Sequence, residues 1–263
     1  IVTGFEERSD YAIDKPLMHI LILTSAGIVI FLIRRLLYPE KLNKLLKWAA
    51  IILFPLNLLL TLYLVLNTQF QPLGDASILW DIACNMQAGN YEDFQALGYA
   101  ERHFNQMGAL FFLKALVGLV GEENQFVLQL FNVAALGTFQ LCIRSIVRKL
   151  FGRTAGDAAL LLCIFFFPLS LYVVFTYFNL ISWALIAVGI RQEISLFETG
   201  KKRHLVGMAA AIFFAVLLKS FSWIAMIAMI IYACYEGLRR KQALPFLGMA
   251  VTVILILLAN SSM

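Results

Sequence analysis

Long apolar runs recur along this chain, and they decide what it can fold into. Five of them are close to the roughly 20 residues that span a bilayer core, and three less regular ones lie between the fourth and the fifth. The eight segments are Leu17–Ile33, Leu46–Leu66, Phe126–Ile143, Ala158–Val174, Asn179–Ile190, His204–Leu218, Phe221–Tyr235 and Ala243–Ala259. Backbone in lipid must satisfy its own hydrogen bonds, so such segments are helical. The sequence predicts an all-α, polytopic membrane protein with about eight transmembrane helices.

The composition supports the membrane class and excludes a nucleic-acid partner. The chain is 61% hydrophobic and 14% charged, which lies outside the soluble range. Its net charge of +5 reflects topology, because most of the lysines and arginines fall in four connectors, at 34–47, 144–153, 191–203 and 239–241. By the positive-inside rule these connectors face the cytoplasm. We expect a single transmembrane domain, residues 1–263, in a lipid bilayer.

The stretch between the second and third long apolar runs is polar and acidic. Its charged residues before Asn105 are Asp75, Asp81, Glu92, Asp93, Glu101 and Arg102. With the basic connectors inside, this stretch faces outward. The segment Gln106–Val120 is short for a span and has Lys114 in its middle, and if it crossed it would place the 144–153 cluster outside. We therefore predict that residues 67–125 form one unit on the outer side of the membrane. It consists of a juxtamembrane helix, a linking segment and a second juxtamembrane helix.

The first of these helices can be recognised from its pattern. Apolar residues recur from Ile78 to Met86 as an amphipathic stripe, and Trp80 and Tyr91 suit the headgroup level. Asp75 stands just before the helix, where it is either an N-cap or a base held at the membrane surface. Asp81 is either a solvated residue on the polar face or a second, weaker candidate base.

Several short motifs resemble one family of membrane enzymes. They are Gly74-Asp75, Tyr99-Ala100-Glu101-Arg102-His103, Phe167-Pro168-Leu169, Tyr177-Phe178-Asn179 and Leu218-Lys219-Ser220. In this order, and over about residues 46–235, the chain resembles the GT-C membrane glycosyltransferases. Within that group it is most similar to bacterial relatives of protein O-mannosyltransferases and lipid A aminoarabinose transferases.

The resemblance implies an activity and its substrates. Such enzymes take a sugar from a polyprenyl-phosphate donor and transfer it, with inversion, to a hydroxyl of a cell-envelope glycan, lipid or protein. It implies a multi-pass protein of the bacterial plasma membrane with its active site on the extracytoplasmic side. An acid early in the first external loop is the family's base, and Asp75 matches it. Glu101 is an alternative base, and Arg102 and His103 are expected to contact phosphate or sugar.

Two further residues bear on the site. Relatives often carry a second acid in the next external loop, where this chain has Asn179. Because an amide oxygen is a poorer ligand than a carboxylate, a divalent metal is not supported, and we expect no cofactor. Lys219 lies between two apolar segments at the outer side. An ionisable group there is either a contact for the leaving phosphate or a lysine that extends to the interface.

The rival class is a protein without catalysis. A transporter, a flippase or an assembly subunit of a cell-envelope system could bind lipid-linked sugar with the same residues. Transporters tend to show paired repeats and broken helices at the bilayer midplane. The sequence shows no internal repeat, and its polar residues concentrate at one membrane face, which favours an interfacial enzyme. A third alternative is a family member that binds the donor without turning it over. It is left open because this chain has Asn179 where relatives often carry an acid.

Overall fold

The computed structural model describes residues 39–68, 74–96, 98–241 and 244–262, together with residues 20, 21, 24, 25 and 28. The chain divides into two compact units, Ile1–Leu45 and Leu46–Met263. In the first, the described residues are helical. The site described below lies entirely within the second. The predicted segment Leu17–Ile33 falls mostly outside the described residues.

The described chain is built from α-helices and short 3-10 turns, and these residues contain no strand. This confirms the predicted all-α class. The 3-10 turns are Glu92–Phe94, Phe104–Gln106 and Tyr172–Val174. The α-helices are α1 (Pro39–Asn67), α2 (Asp75–Gln87), α3 (Tyr99–Arg102), α4 (Met107–Val120), α5 (Phe126–Phe151), α6 (Arg153–Phe165), α7 (Phe167–Leu171), α8 (Asn179–Thr199), α9 (Lys202–Leu218), α10 (Ser222–Arg240) and α11 (Leu244–Ser262).

Three helices are long and apolar enough to cross a membrane. They cover Glu40–Asn67, Phe126–Phe151 and Asn179–Thr199. Two bent helix pairs, one from Glu92 to Val120 and one from Arg153 to Val174, would raise the number to five if each pair forms one span. The structure thus supports a membrane protein with three to five candidate spans among its described residues. The predicted number of about eight is not confirmed.

The predicted helix Ala158–Val174 is broken rather than continuous. The chain bends by 61° between Arg153–Phe165 and Phe167–Val174. Pro168 lies in the first turn of α7, and it cannot donate the backbone hydrogen bond that a continuous helix would need there. Past the break, the Gln129 side-chain amide donates to the Val174 carbonyl at 2.9 Å, and the Asn132 amide donates to the carbonyls of Val173 and Phe175. Two buried amides of α5 thereby satisfy backbone that helix geometry leaves open.

The central bundle is formed by α5, α8 and α9, since α8 packs against both of its neighbours. Its core is apolar, and it includes Leu136, Leu180 and Ile212. A buried polar link also ties α1 to this bundle. The Asn57 amide donates to the Ser170 hydroxyl at 2.8 Å, and the Gln140 amide donates to the Asn57 oxygen at 2.9 Å. Interhelical hydrogen bonds of this kind fix helix positions where burial of apolar surface gives no driving force.

The two predicted juxtamembrane helices, α2 and α4, pack against each other. The apolar stripe of α2 faces α4, where Leu110, Leu113 and Val117 are buried in the same cluster. Trp80 is 3% exposed and its Nε1 donates to the Glu122 carbonyl at 2.9 Å, so its ring packs inside the protein. Its predicted position at the headgroup level stays a prediction. With 14 residues, α4 is roughly 21 Å long, short of the roughly 30 Å of a bilayer core.

Candidate functional site

Asp75 is the first residue of α2, and its carboxylate is not used to cap that helix. Gly74 occupies the N-cap position with φ of 60°, and no side chain caps the helix there. The prediction that Asp75 is the N-cap is therefore wrong. The Asp75 side chain is exposed, so the acid stands at the start of a helix and remains accessible. A carboxylate at this end is also favoured by the helix dipole.

Tyr177 connects Asp75 to a distant part of the chain. It lies between the 3-10 turn Tyr172–Val174 and α8, and its hydroxyl donates to Asp75 Oδ2 at 3.5 Å. Burial and the adjacent Asp75 carboxylate raise the pKa of Tyr177 to about 12. The phenol thus stays protonated at neutral pH and acts as a hydrogen-bond donor.

Lys219 brings a cation to the same place from the connector between α9 and α10. Its side chain is 8% exposed, and its Nζ lies 2.9 Å from the centroid of the Tyr177 ring. Burial lowers the pKa of Lys219 to about 8, against an opposing effect of the Asp75 carboxylate. The lysine does not extend into solvent. It is held over an aromatic face, which stabilises an ammonium in a partly desolvated place.

Two more side chains complete the cluster around Asp75. The Tyr99 hydroxyl hydrogen-bonds to Asp75, and burial together with that carboxylate raises the pKa of Tyr99 to about 12. Gln106 is buried, and its Nε2 donates to the Tyr99 hydroxyl at 3.3 Å. The Gln106 Oε1 atom is buried and has no hydrogen-bond partner among the described residues. Asp75 therefore faces two phenols that are held by surrounding structure.

The predicted residues around Arg102 lie on the surface of the protein. The Nε of Arg102 donates to the Gly98 carbonyl at 3.3 Å. The ring of His103 packs on Tyr99, with centroids 4.3 Å apart. Glu101 is exposed beside them. His103 is therefore next to the cluster through Tyr99, whereas no described contact joins Arg102 to Lys219.

Asp81 and Asn179 are also outside the cluster. Asp81 is on the exposed face of α2. Asn179 is half-buried at the start of α8, and its Nδ2 donates to the Tyr172 hydroxyl at 2.7 Å. The amide of Asn179 therefore has a local structural partner. Of the residues predicted from the sequence, the structure brings Asp75 and Lys219 together.

A small cavity of about 140 Å³ is lined by Leu217 and Ser220, which lie on either side of Lys219 in the chain, but not by Lys219 itself. The Asn105 amide and the Ser220 hydroxyl, which are hydrogen-bonded at 3.3 Å, line it together with Phe104 and Trp223. Gly108 lies next to this cavity, where α4 begins. A Cβ at position 108 would fall 2.3 Å from the Leu217 carbonyl oxygen, so the helices α4 and α9 meet backbone to backbone at this point.

Sequence reasoning missed Tyr99, Gln106 and Tyr177 as members of the site. Tyr99 and Tyr177 stand inside motifs that carried the family resemblance, and this was the available signal. Tyr177 comes two residues before Asn179, the position of the missing second acid. The structure places a phenol, rather than a carboxylate, next to Asp75.

The described residues contain no group of three or more histidine, cysteine, aspartate or glutamate side chains that could hold a metal ion. What the cluster offers instead is an exposed carboxylate that can accept a proton, two phenol donors and one ammonium. This set can bind and orient an anion and deprotonate a hydroxyl.

No family model, curated protein or solved structure matches the chain. The function is therefore inferred from the geometry around Asp75 and from the motifs that resemble GT-C enzymes.

Proposed function

We propose that this chain is an integral membrane glycosyltransferase of the GT-C type. It would move a sugar from a polyprenyl-phosphate donor to an acceptor hydroxyl with inversion. One observation carries the proposal: an exposed carboxylate, Asp75, and a buried ammonium, Lys219, meet across the ring and hydroxyl of Tyr177. Such a transfer needs a base for the acceptor and a cation for the leaving group, and these are the two groups that converge.

In the proposed reaction, Asp75 is the general base. The acceptor hydroxyl oxygen attacks the anomeric carbon while its proton passes to the Asp75 carboxylate. The bond between the anomeric carbon and the phosphate oxygen breaks, and the prenyl phosphate leaves with the electron pair. Attack from the face opposite the leaving group inverts the anomeric centre. The hydrogen bonds from Tyr177 and Tyr99 would orient the carboxylate without protonating it, because the pKa of each phenol lies near 12.

Lys219 is the proposed contact for the leaving phosphate, whose negative charge grows in the transition state. A pKa of about 8 keeps its side chain mostly protonated at neutral pH. Because the ammonium is largely removed from water, its attraction for a phosphate is screened less than at an exposed position. Arg102, His103, Glu101 and Asn179 remain proposed substrate contacts, for which the cluster offers no direct support beyond the packing of His103 on Tyr99. Asp81, which lies outside the cluster on the exposed face of α2, is not one of them.

The cavity of about 140 Å³ that is lined by Ser220, the residue after Lys219, is the proposed place for the sugar ring. Phe104 and Trp223 give it aromatic surface for the apolar face of a sugar. The Asn105 amide and the Ser220 hydroxyl give it hydrogen-bonding groups for sugar hydroxyls. The acceptor would then be a hydroxyl of a cell-envelope glycan, lipid or protein.

The proposal also covers how the chain is placed in the membrane. About eight transmembrane helices would place the basic connectors in the cytoplasm and the unit 67–125 outside a bacterial plasma membrane. The length of α4 supports a helix that does not cross.

A cysteine-labelling experiment tests this arrangement. Asn90 and Glu123 are exposed, and single cysteines at each position, in a background without Cys84, Cys142, Cys163 and Cys234, should both react with an impermeant thiol reagent from outside intact cells. Reaction at position 123 only after permeabilisation would place α4 across the bilayer and reject the external unit.

The substitution Asp75→Asn tests the catalytic role. It removes the proton-accepting charge, which typically contributes about 10²–10⁴-fold to rate. Its thermal stability should stay near that of the unmodified protein, because the carboxylate does not cap α2. The measurement is transfer of labelled sugar from a short prenyl-phosphate donor by purified protein in detergent, alongside donor binding.

Asp81→Asn is the matched control, since it makes the same change on the exposed face of the same helix. It should keep transfer within a few-fold of the unmodified protein, as a surface substitution with little effect. Near-normal turnover by Asp75→Asn would reject the assignment. Donor binding without any transfer by the unmodified protein would instead support the non-catalytic alternative that Asn179 left open.

A further inference from the structure

Glu193 is an acid that the proposed reaction does not use. It lies in the second half of α8, is 1% exposed, and its Oε1 has no hydrogen-bond partner among the described residues. The salt bridges in the described part of the chain do not include it. Leaving a carboxyl buried and unpaired is costly, and an ionisable group in an apolar membrane helix is a candidate functional group.

A cavity of about 280 Å³ lies next to Glu193, between α5, α8 and α10. Its walls are mostly aliphatic, with Ile146, Ile190 and Met229 among them. Ala225 and Ala228 lie one turn apart on α10, and their small side chains leave space in the cavity. Glu193 and Tyr232 are the polar residues of this lining.

The neighbouring cations are already engaged. Lys149 Nζ donates to the Ser195 hydroxyl at 2.9 Å and is also paired with Glu198. Arg240 donates to Glu236 at 2.6 Å. These basic residues therefore have partners of their own, and no described cation is paired with Glu193.

We infer that this cavity binds an amphiphilic primary amine, with the ammonium on Glu193 and a single hydrocarbon chain along the aliphatic walls. The charge of an ammonium complements the carboxyl, and its N–H groups supply the hydrogen bond that Oε1 lacks. The cavity volume corresponds to roughly nine groups of the size of a water molecule, at ~30 Å³ each. This size fits a chain of about eight carbons. The inference is independent of the proposed transferase activity.

The probe for this site is n-octylamine, which is protonated at pH 7 like a lysine side chain. Purified protein in a neutral detergent is titrated with it, and the thermal unfolding midpoint is followed. A saturable rise of the midpoint is expected for the unmodified protein, because a ligand that binds the folded state stabilises it. The alcohol n-octanol, which has the same chain without the charge, should give no saturable rise.

Glu193→Gln should raise the amine concentration needed for half the effect by roughly ten- to a hundredfold, as expected for loss of a charge-assisted contact. Glu198→Gln is the matched control on the same helix, because Glu198 is exposed and paired with Lys149. It should respond to octylamine as the unmodified protein does. Ala228→Leu narrows the cavity without touching Glu193 and should also weaken the response.

An equal response of the folded Glu193→Gln variant and the unmodified protein would overturn the site, and so would an equal effect of octanol. If Glu193→Gln does not fold, the Ala228→Leu variant provides the test. If octylamine raises the unfolding midpoint of that variant as much as that of the unmodified protein, the proposal is overturned. Tighter binding of dioctanoyl phosphatidylethanolamine than of octylamine, lost in Glu193→Gln, would overturn the single-chain amine as the occupant.

Discussion

Two groups of charged side chains in this protein are partnered in different ways. Where the basic connectors lie, acids meet cations directly, as Asp157 does with Arg144 at 2.8 Å and Glu236 with Arg240 at 2.6 Å. Near Tyr177, the buried Lys219 rests on an aromatic ring, and the Asp75 carboxylate faces phenol hydroxyls.

The difference separates what holds the protein together from what remains available for substrate. A paired charge is satisfied by its partner, and removing that partner leaves an uncompensated charge. A cation held over a ring keeps its N–H groups for an incoming anion. The first region is therefore expected to contribute to stability, and the second to binding and chemistry at some expense of stability.

The largest contrast is expected between two lysines. Lys219→Met should weaken binding of a prenyl-phosphate sugar roughly ten- to a hundredfold. It should not lower thermal stability at pH 7, because the substitution removes a buried charge. Lys149→Met should leave donor binding unchanged and cost about 0.2–1 kcal/mol of stability, since its pair with Glu198 is partly exposed. Donor titrations and thermal unfolding of both variants test this.

The pH dependence sharpens the same contrast. The ammonium form of Lys219 should bind the phosphate, so donor affinity should fall as pH rises through about 8. Because the folded-state pKa is below the ordinary value of 10.5, the unfolded chain binds this proton more tightly. The burial cost is fully present below pH 8 and is relieved between about pH 8 and 10.5, where stability should rise. The Lys219→Met variant should lack both effects, and a pH profile identical to that of the unmodified protein would contradict the assignment.

An effect of similar size, but on stability rather than on binding, is expected from breaking the ion pair between Asp157 and Arg144. Asp157→Asn leaves the Arg144 guanidinium without its charged partner. We expect a loss of about 1.5–3 kcal/mol in the free energy of unfolding, with sugar transfer by the folded protein unchanged. Denaturant titration and the transfer assay together measure this. A large loss of transfer at unchanged stability would erase the distinction between the two regions.

The smallest effect should come from the Tyr177 hydroxyl. Tyr177→Phe keeps the ring under Lys219 and removes one hydrogen bond to Asp75, worth about 0.5–1.5 kcal/mol. Tyr177→Leu also removes the ring, and the cation–π contact adds about 0.5–2 kcal/mol. Transfer rates and donor affinities should follow that order.

Tyr91→Leu is the control, because it removes an exposed ring that Lys114 approaches at 5.3 Å, and it should be close to silent. Equal behaviour of Tyr177→Phe and Tyr177→Leu would show that the ring does not hold Lys219 for binding.

The local sequence pattern was sufficient to predict α2. The stripe from Ile78 to Met86 predicted α2 and its buried face, because amphipathic periodicity depends only on nearby residues. The burial of Trp80 was not predicted, because its partner, the Glu122 carbonyl, is distant in sequence. Asp75 was misplaced by one position because Gly74 takes the N-cap conformation.

Hydropathy predicted the apolar segments that form α9 and α10, and whether these helices cross a membrane stays a prediction. Composition alone does not separate a span from a helix buried inside a bundle. The break after Phe165 depends on Pro168 and on amides of α5 that can serve the open backbone. Tyr177 and Gln106 could not be assigned to the site from the sequence, because their roles arise from contacts between separate segments.

The distance along the chain between Asp75 and Lys219 has a consequence for when the proposed site can form during synthesis. More than half of the chain separates these residues, and contacts of such long sequence separation form late in folding. Asp75 emerges early, and Lys219 emerges only after α9 is complete. A nascent or truncated chain that stops before Lys219 therefore cannot form the proposed base–cation arrangement.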